Sequence, residues 1–307
     1  MAKSMNTVGA REPEAGVATR PDHRDYTALI RTGVCNARLR QVVDALQAQT
    51  MPPVEILFVD SSKNQACAAG LAKLGRVIPY TGAWNPARAI NIGFAAVRTP
   101  WTLTISSHTI LQDPTVIEQG VAKAHASGID LVYWSPPAPS AAHQAVQFNV
   151  IDRRNFTGRN GMSNSCGMIP TALVRERPFD DRPIFSEDQV WVSHYLRAGG
   201  RSLGVISTAV DYRNASIVDP RLADRRLIGQ GIAIAYFANP RSMLFEASFG
   251  RVLRAVTALA RGRKRRAVIH ASVALGVVKA LFRTPELAKY RTLPDRHKAR
   301  SDRPKSS

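Results

Sequence analysis

The chain has 307 residues, 45% of them apolar and 21% charged, with a formal net charge of +19, which is ordinary for a globular protein with room for one large domain or a domain plus an appendage. No apolar run reaches the roughly 18 residues of a spanning helix, and the chain does not open on the apolar stretch of a signal peptide. Cys35, Cys67 and Cys166 are odd in number, far apart and without C-x-x-C spacing, so no disulfide framework and a reducing, cytoplasmic setting are expected.

Residues 1–24, rich in Ala, Glu, Arg and Gly without periodicity, read as a disordered lead-in. Residues 26–31 read as a strand, and Leu39, Val42, Val43 and Leu46 then form one apolar helix face, ended by Pro52-Pro53. Residues 55–59 (EILFV) form a continuous apolar run of the kind buried in a parallel sheet. Asp60-Ser61-Ser62 closes that strand, and a short Ala-rich helix runs to about Lys73. Residues 77–80 form a third strand, Ile90, Phe94 and Val97 a helix face, and residues 101–106 a fourth strand. Asp113 is placed to cap a helix with Pro114 at its first position, and residues 131–134 make a fifth strand. Strands alternating with helices in this way predict a right-handed, mostly parallel α/β sheet flanked by helices.

Beyond Ser135 the pattern changes. Pro136, Pro137 and Pro139 mark a loop, residues 147–151 a strand, and residues 153–166 a polar, glycine-bearing loop of functional type. A helix is expected over 187–197, ended by Gly199-Gly200, and a strand over 203–210. From Arg221 the periodicity is helical, clearest over 243–260 and 267–282, where Ile269, Val273, Val277 and Leu281 recur at four-residue steps. The expected division is a lead-in over 1–24, a catalytic domain over 25–220, a helical region over 221–285 and a basic disordered tail over 286–307.

The charge is uneven. Residues 221–307 hold 20 Lys/Arg against 5 Asp/Glu, and the first 220 hold 22 against 18. An anionic partner is therefore expected at the C-terminal part, whether membrane lipid, lipid-linked phosphate or nucleic acid. The absence of a zinc motif or aromatic RNA-binding pattern argues against nucleic acid.

In open α/β sheets ligands bind outside the carboxyl ends of the strands. Arg31-Thr32, Asp60-Ser61-Ser62 and Ser106-Ser107-His108 all follow strands, which puts them on one sheet edge. Singly, each is equally a polar turn. Glu187-Asp188 opens a helix after Ser186, where Ser186 as cap and the helix dipole explain the pair as well as catalysis does.

Three blocks, in order, carry a family resemblance: LIRTGVCNARLRQVVDALQAQTMPPVEILFVDSS, AWNPARAINIGFAAVRTPWTLTISSH and SNSCGMIPTALVRERPFDDRPIFSEDQVWVSHYLRAGGR. The chain resembles inverting family 2 glycosyltransferases with the GT-A fold, and within them the rhamnosyltransferase-like branch, carrying a C-terminal helical appendage. The resemblance implies transfer of a sugar, rhamnose among the candidates, from a dTDP- or UDP-sugar to a hydroxyl of a polysaccharide or lipid-linked glycan. It implies that Asp60 accepts from the nucleotide base, that Arg31 and Thr32 line the base pocket, and that Arg88 and Asn91 face ribose and diphosphate. It makes Asp188 the base that takes the acceptor proton, with Glu187 orienting the site and Asn164, Ser165 and Trp191 near the acceptor.

The sequence departs from the family twice. The Asp-x-Asp metal motif is replaced by Ser106-Ser107-His108, and a late His is replaced by Asp211-Tyr212-Arg213-Asn214. One imidazole suits manganese better than magnesium. Two possibilities stay open: His108 with Asp211 holds a divalent cation, or His108 and Arg213 meet the diphosphate directly. The departures also leave room for a catalytically weakened sugar-nucleotide or glycan-binding partner subunit. The basic cluster Arg261, Arg263, Lys264, Arg265 and Arg266 ahead of an amphipathic helix fits either an anionic membrane surface, peripheral on the inner face, or packing on the catalytic domain.

Overall fold

The computed structural model describes residues 23–138, 146–212, 220–239 and 244–282. Most of the expected lead-in, the Pro139 turn, Arg213, Asn214 and the basic tail lie outside the described residues. In chain order the elements begin with β1 (Tyr26–Thr32), α1 (Ala37–Gln47), β2 (Glu55–Asp60), α2 (Gln65–Ala72), β3 (Arg76–Pro79) and α3 (Pro86–Ala96). There follow β4 (Trp101–Ser106), β5 (Thr109–Leu111), α4 (Val116–Ala126), β6 (Leu131–Ser135), β7 (Gln147–Ile151), β8 (Cys166–Pro170) and α5 (Thr171–Glu176). Then come α6 (Glu187–Arg197), β9 (Ser202–Ile206), β10 (Val210–Tyr212), α7 (Pro220–Ala233), a π-helical turn (Ile234–Ala238), α8 (Leu244–Ala260) and α9 (Lys264–Phe282).

The eight-stranded sheet has the order β3-β2-β1-β4-β8-β6-β9-β7. The β3-β2-β1-β4 half is parallel, β8 is inserted antiparallel between β4 and β6, β9 runs parallel to β6, and β7 is antiparallel to β9. The mixed sheet is thus mostly parallel and flanked by helices, as expected. β5 and β10 form a separate antiparallel ribbon.

Strand alternation distributes the core between two faces. Ala28, Ile30, Ile56 and Phe58 pack with Leu39, Val42 and Leu46 of α1 and Ile117 and Val121 of α4. Leu29, Leu57 and Val59 pack with Ile90 and Phe94 of α3 and Val192 and Leu196 of α6. Burial on both faces explains why β1 and β2 are nearly continuous apolar runs. Asn36, Asn64 and Asn85 cap α1, α2 and α3 by accepting from the N–H groups of Leu39, Cys67 and Arg88, contacts that stabilise such helix starts by about 0.5–2 kcal/mol each.

Several expectations are corrected. Asp113 does not cap a helix directly. Its Oδ1 accepts from the N–H and Oγ1 of Thr115, and α4 begins at Val116. Ser186 makes no side-chain capping bond and adopts a left-handed φ of 58°. The strand expected over 203–210 is two strands, β9 and β10, parted by a turn in which Ser207 Oγ accepts from the N–H of Ala209. β5, β8 and α5 are too short to show a period in sequence.

Cys35 and Cys67 form a disulfide with Cα atoms 5.5 Å apart, against the expectation of none. They are 32 residues apart in sequence. Because β1 and β2 are parallel neighbours, the loop after β1 and the first turn of α2 leave the sheet side by side. The cysteine spacing therefore carries no argument for a reducing compartment. Cys166 is buried and free.

The C-terminal helices are docked on the sheet domain. Ile232, Phe237, Leu244, Val273 and Val277 share a core with Val190 of α6.

Gly120 lets α4 lie against Trp134, whose indole N–H donates to the Val116 carbonyl; a Cβ at this position would stand 2.7 Å from Trp134 Nε1. Gly120→Ala is expected to destabilise the fold by about 1–3 kcal/mol through overpacking, read as a lower denaturant midpoint at unchanged slope.

Candidate functional site

Register brings the predicted strand ends together. Thr32 pairs with Asp60 across β1 and β2, and Arg31 pairs with Ser106 across β1 and β4. Beside this edge lies a cavity of about 480 Å³ lined by Arg31, Ser106, His108, Asn164, Ser165, Glu187 and Asp188. Further wall comes from residues 133–136 at the end of β6, the 158–165 loop, Tyr212 of β10, Arg226 and Gln230 of α7, and Ile234 of the π-helical turn.

Asp188 lies in the first turn of α6 and keeps a partly accessible edge toward the cavity. Its Oδ2 accepts from Ser163 Oγ and the Asn164 N–H, both at 3.1 Å, and its Oδ1 from the Gln189 N–H at 2.8 Å. Desolvation, followed by the neighbouring Glu187 charge, pushes its pKa up to about 6, against the three hydrogen bonds. Glu187 is buried, 3.1 Å from the Arg31 guanidinium, and accepts from Asn164 Nδ2 at 3.4 Å. Arg31 also donates to the Pro86 carbonyl. One carboxylate of the pair is thus neutralised and fixed, and the other is held by uncharged donors.

His108 stands with its Nε2 3.0 Å from Ser106 Oγ and its ring beside Tyr212. Burial, then the charges of Arg226, Arg38 and Arg31, hold the imidazole down at about 4, so it is neutral at pH 7. Ser107 occupies the turn between β4 and β5 and does not line the cavity.

Among the described residues His108 and Asp211 do not by themselves make a divalent-cation site. Asp211, the second candidate ligand, has Oδ2 3.0 Å from the Arg38 guanidinium, which also donates to the His108 and Asp211 carbonyls. Among the described residues no group of three His, Cys, Asp or Glu is placed to hold a metal. Arg31 and Arg226, which line the cavity beside His108, oppose a cation there and suit the oxygens of a diphosphate.

Other predicted residues lie elsewhere. Asp60 and Thr32 are buried at the strand edge outside the cavity. Asp60 accepts from the N–H and Oγ of Ser62, and Thr32 Oγ1 closes a turn with Val34. Arg88 is exposed and pairs with Asp181 at 2.6 Å. Asn91 exchanges hydrogen bonds with the Phe179 backbone. Neither Arg88 nor Asn91 reaches the cavity. Trp191 is core: its indole donates to the Arg177 carbonyl, and its ring stacks on Phe179 and Tyr195. Arg38, Arg159, Ser163, Arg226 and Gln230 were not foreseen; the polar character of the 153–166 loop was the only signal for any of them.

The model of glycosyl transferase family 2 matches residues 31–156. None of the curated proteins matches in sequence. Mannosyltransferase PcManGT from Pyrobaculum calidifontis, in complex with GDP-Man and Mn2+, is similar with a TM-score of 0.53 at 13% identity, covering 84% of this chain and 87% of that one. S. aureus TarS 1-349 in complex with UDP gives 0.53 at 12% identity, covering 84% and 91%; with UDP-GlcNAc it gives 0.51 at 11% identity, covering 84% and 91%. Residues 31–156 therefore carry the sequence pattern of glycosyl transferase family 2, in a chain that adopts the GT-A fold.

Proposed function

We propose that this chain is an inverting glycosyltransferase that moves a sugar from a nucleotide donor to an acceptor hydroxyl, with Asp188 as base. The observation that carries the reading is the Asp188 carboxylate: oriented by three donors, poised near pH 6 and facing a cavity rich in arginine. In a single displacement the acceptor oxygen attacks the anomeric carbon, Asp188 takes its proton, and the bond to the nucleoside diphosphate breaks on the opposite face. One carboxylate suffices, and Glu187, tied to Arg31 and Asn164, serves to orient. Arg31 and Arg226 meet the negative charge that grows on the departing diphosphate. The nucleoside would extend toward the Thr32–Asp60 edge. Neighbours solved with GDP-Man, UDP and UDP-GlcNAc support a sugar-nucleotide donor; a dTDP- or UDP-sugar, rhamnose included, is the proposed class.

The proposed acceptor is a glycan or glycolipid at an anionic membrane surface. Among the described residues no helix is long and apolar enough to cross a membrane. α8 nevertheless exposes Phe249, Val252, Leu253, Val256 and Leu259 at helical spacing, and α9 exposes Val268, Leu275 and Phe282, the last at 83%. Exposed Arg261, Arg263, Lys264 and Arg266 join the two helices. Apolar and basic residues together fit an interface with anionic lipid.

Nucleotide release across a panel of sugar nucleotides tests the transferase reading. One donor should be consumed, and Asp188→Asn should lower kcat by about 10²–10⁴ while donor binding persists. Binding without turnover by the unaltered chain would instead favour a partner subunit.

The pH profile tests the base. Asp188 acts ionised, so kcat/KM should climb about tenfold per pH unit toward pH 6 and level above it. Glu187→Gln removes a neighbouring negative charge and should move that limb to lower pH.

Chelation should leave the rate unchanged. Arg226→Gln should cost about 1.5–3 kcal/mol of transition-state stabilisation, which is roughly ten- to a hundredfold in kcat/KM. A rate that collapses with EDTA and returns with Mn2+ would overturn the metal-free assignment.

Co-sedimentation should recover the protein with vesicles containing anionic lipid, and poorly with neutral ones. Val256→Glu with Leu259→Glu should release it.

A further inference from the structure

A second cavity, of about 400 Å³, lies between the 156–158 loop, the end of α6, the π-helical turn and α8. Arg197 of α6 and Arg251 and Arg254 of α8 line it. Gly158 and Ile234 line both this cavity and the one that holds Asp188, so the two adjoin. Gly158 has φ +81°, and a Cβ there would stand 2.7 Å from Ile234 Cγ2, so Gly158 and Ile234 pack closely where the two cavities adjoin.

Arg251 and Arg254 are three residues apart on one helix face, an arrangement that is destabilising for like charges. Arg159, on the wall of the catalytic cavity, is close enough to act on both Arg251 and His270. Among the described residues no carboxylate pairs with Arg159, Arg197, Arg251 or Arg254. The hydrogen-bond partner of Arg251 is His270, whose Nδ1 lies 3.2 Å from its guanidinium and must be unprotonated to accept. Burial, then Arg254 and Arg159, makes Arg251 easier to deprotonate than a free arginine. Arg197 and Arg251 are half-buried and Arg254 is exposed; guanidinium groups gathered on one cavity wall suit an anion, and their forked donors match phosphate oxygens.

We propose that this cavity is a phosphate-binding subsite, and that it receives a phosphate group of the acceptor while the acceptor hydroxyl lies in the adjoining cavity that holds Asp188. The acceptor role rests on the transferase reading; phosphate binding does not. The phosphate could belong to a membrane lipid or to a soluble sugar phosphate, since both present the same oxygens.

Calorimetric titration of the full chain with inorganic phosphate tests the subsite directly. The unaltered chain should bind, Arg251→Gln with Arg254→Gln should weaken binding by at least about tenfold, and Asp188→Asn should leave it unchanged. Arg251→Lys with Arg254→Lys, which keeps the charge but loses the fork, should fall between and shows that the fold survives. No binding, or loss with Arg226→Gln in place of the α8 pair, would overturn the proposal by placing phosphate in the donor cavity.

Competition separates the sources. Displacement of phosphate by vesicles containing phosphatidic acid assigns a lipid phosphate, displacement by glucose 1-phosphate a soluble one, and displacement by neither would overturn the acceptor role. Phosphate binding lost in the α8 variant of a chain that turns over no donor would sink the transferase reading alone. Turnover with phosphate binding indifferent to that variant would sink the subsite alone.

Discussion

The ion pair between Arg31 and Glu187 holds the candidate site in one arrangement. Arg31 lies next to the end of β1, in register with Ser106 of β4, and Glu187 opens α6 after the left-handed Ser186. Two adjacent carboxylates drawn from water would repel each other and resist ionisation. Arg31 compensates one of them, while Asp188 is left to neutral donors, with a pKa that lets it both ionise near neutrality and accept a proton. A buried ion pair is weak evidence of stability, because desolvation offsets most of the attraction. Its effect here is positional: it joins the carboxyl edge of the sheet to the helix carrying the proposed base.

The rest of the cavity follows from a change in charge. Where the family it resembles carries Asp-x-Asp, this chain has Ser106-Ser107-His108, and nearby Asp211 pairs with Arg38. The balance shifts to arginine: Arg31, Arg159 and Arg226 face the cavity. Arg226 comes from α7, so the C-terminal helices complete the site as well as packing on α6. The arginines of α6 and α8 continue the same basic lining into the adjoining cavity, and α8 turns an apolar face outward. One helical hairpin thus supplies a core face, the proposed phosphate face and the proposed lipid face.

Much of this was legible in the sequence because it depends on local periodicity. Buried strands such as EILFV, the α1 face of Leu39, Val42, Val43 and Leu46, and the α6 span are set by residues close in the chain. The Glu187-Asp188 pair and the strand ends at Arg31, Asp60 and Ser106 were visible for the same reason. Arg88, Asn91 and Trp191 were carried by motif spacing, and spacing does not say where a side chain goes. Asp181, the Phe179 backbone and the Arg177 carbonyl claimed them, and these partners sit 14 to 93 residues away in sequence.

The sequence by itself determined the α/β class, the order of the main strands and helices, the carboxyl edge where polar residues gather and the basic character of the C-terminal part. Tertiary structure alone decided that β8 enters antiparallel between β4 and β6, that Cys35 meets Cys67, that Arg38 pairs with Asp211 and that Arg226 reaches the cavity. The physical reason is range. Hydrophobic period, turn chemistry and net charge are sums over neighbours, whereas an ion pair, a disulfide or a shared cavity wall exists only once the packed core brings distant segments within a few ångströms.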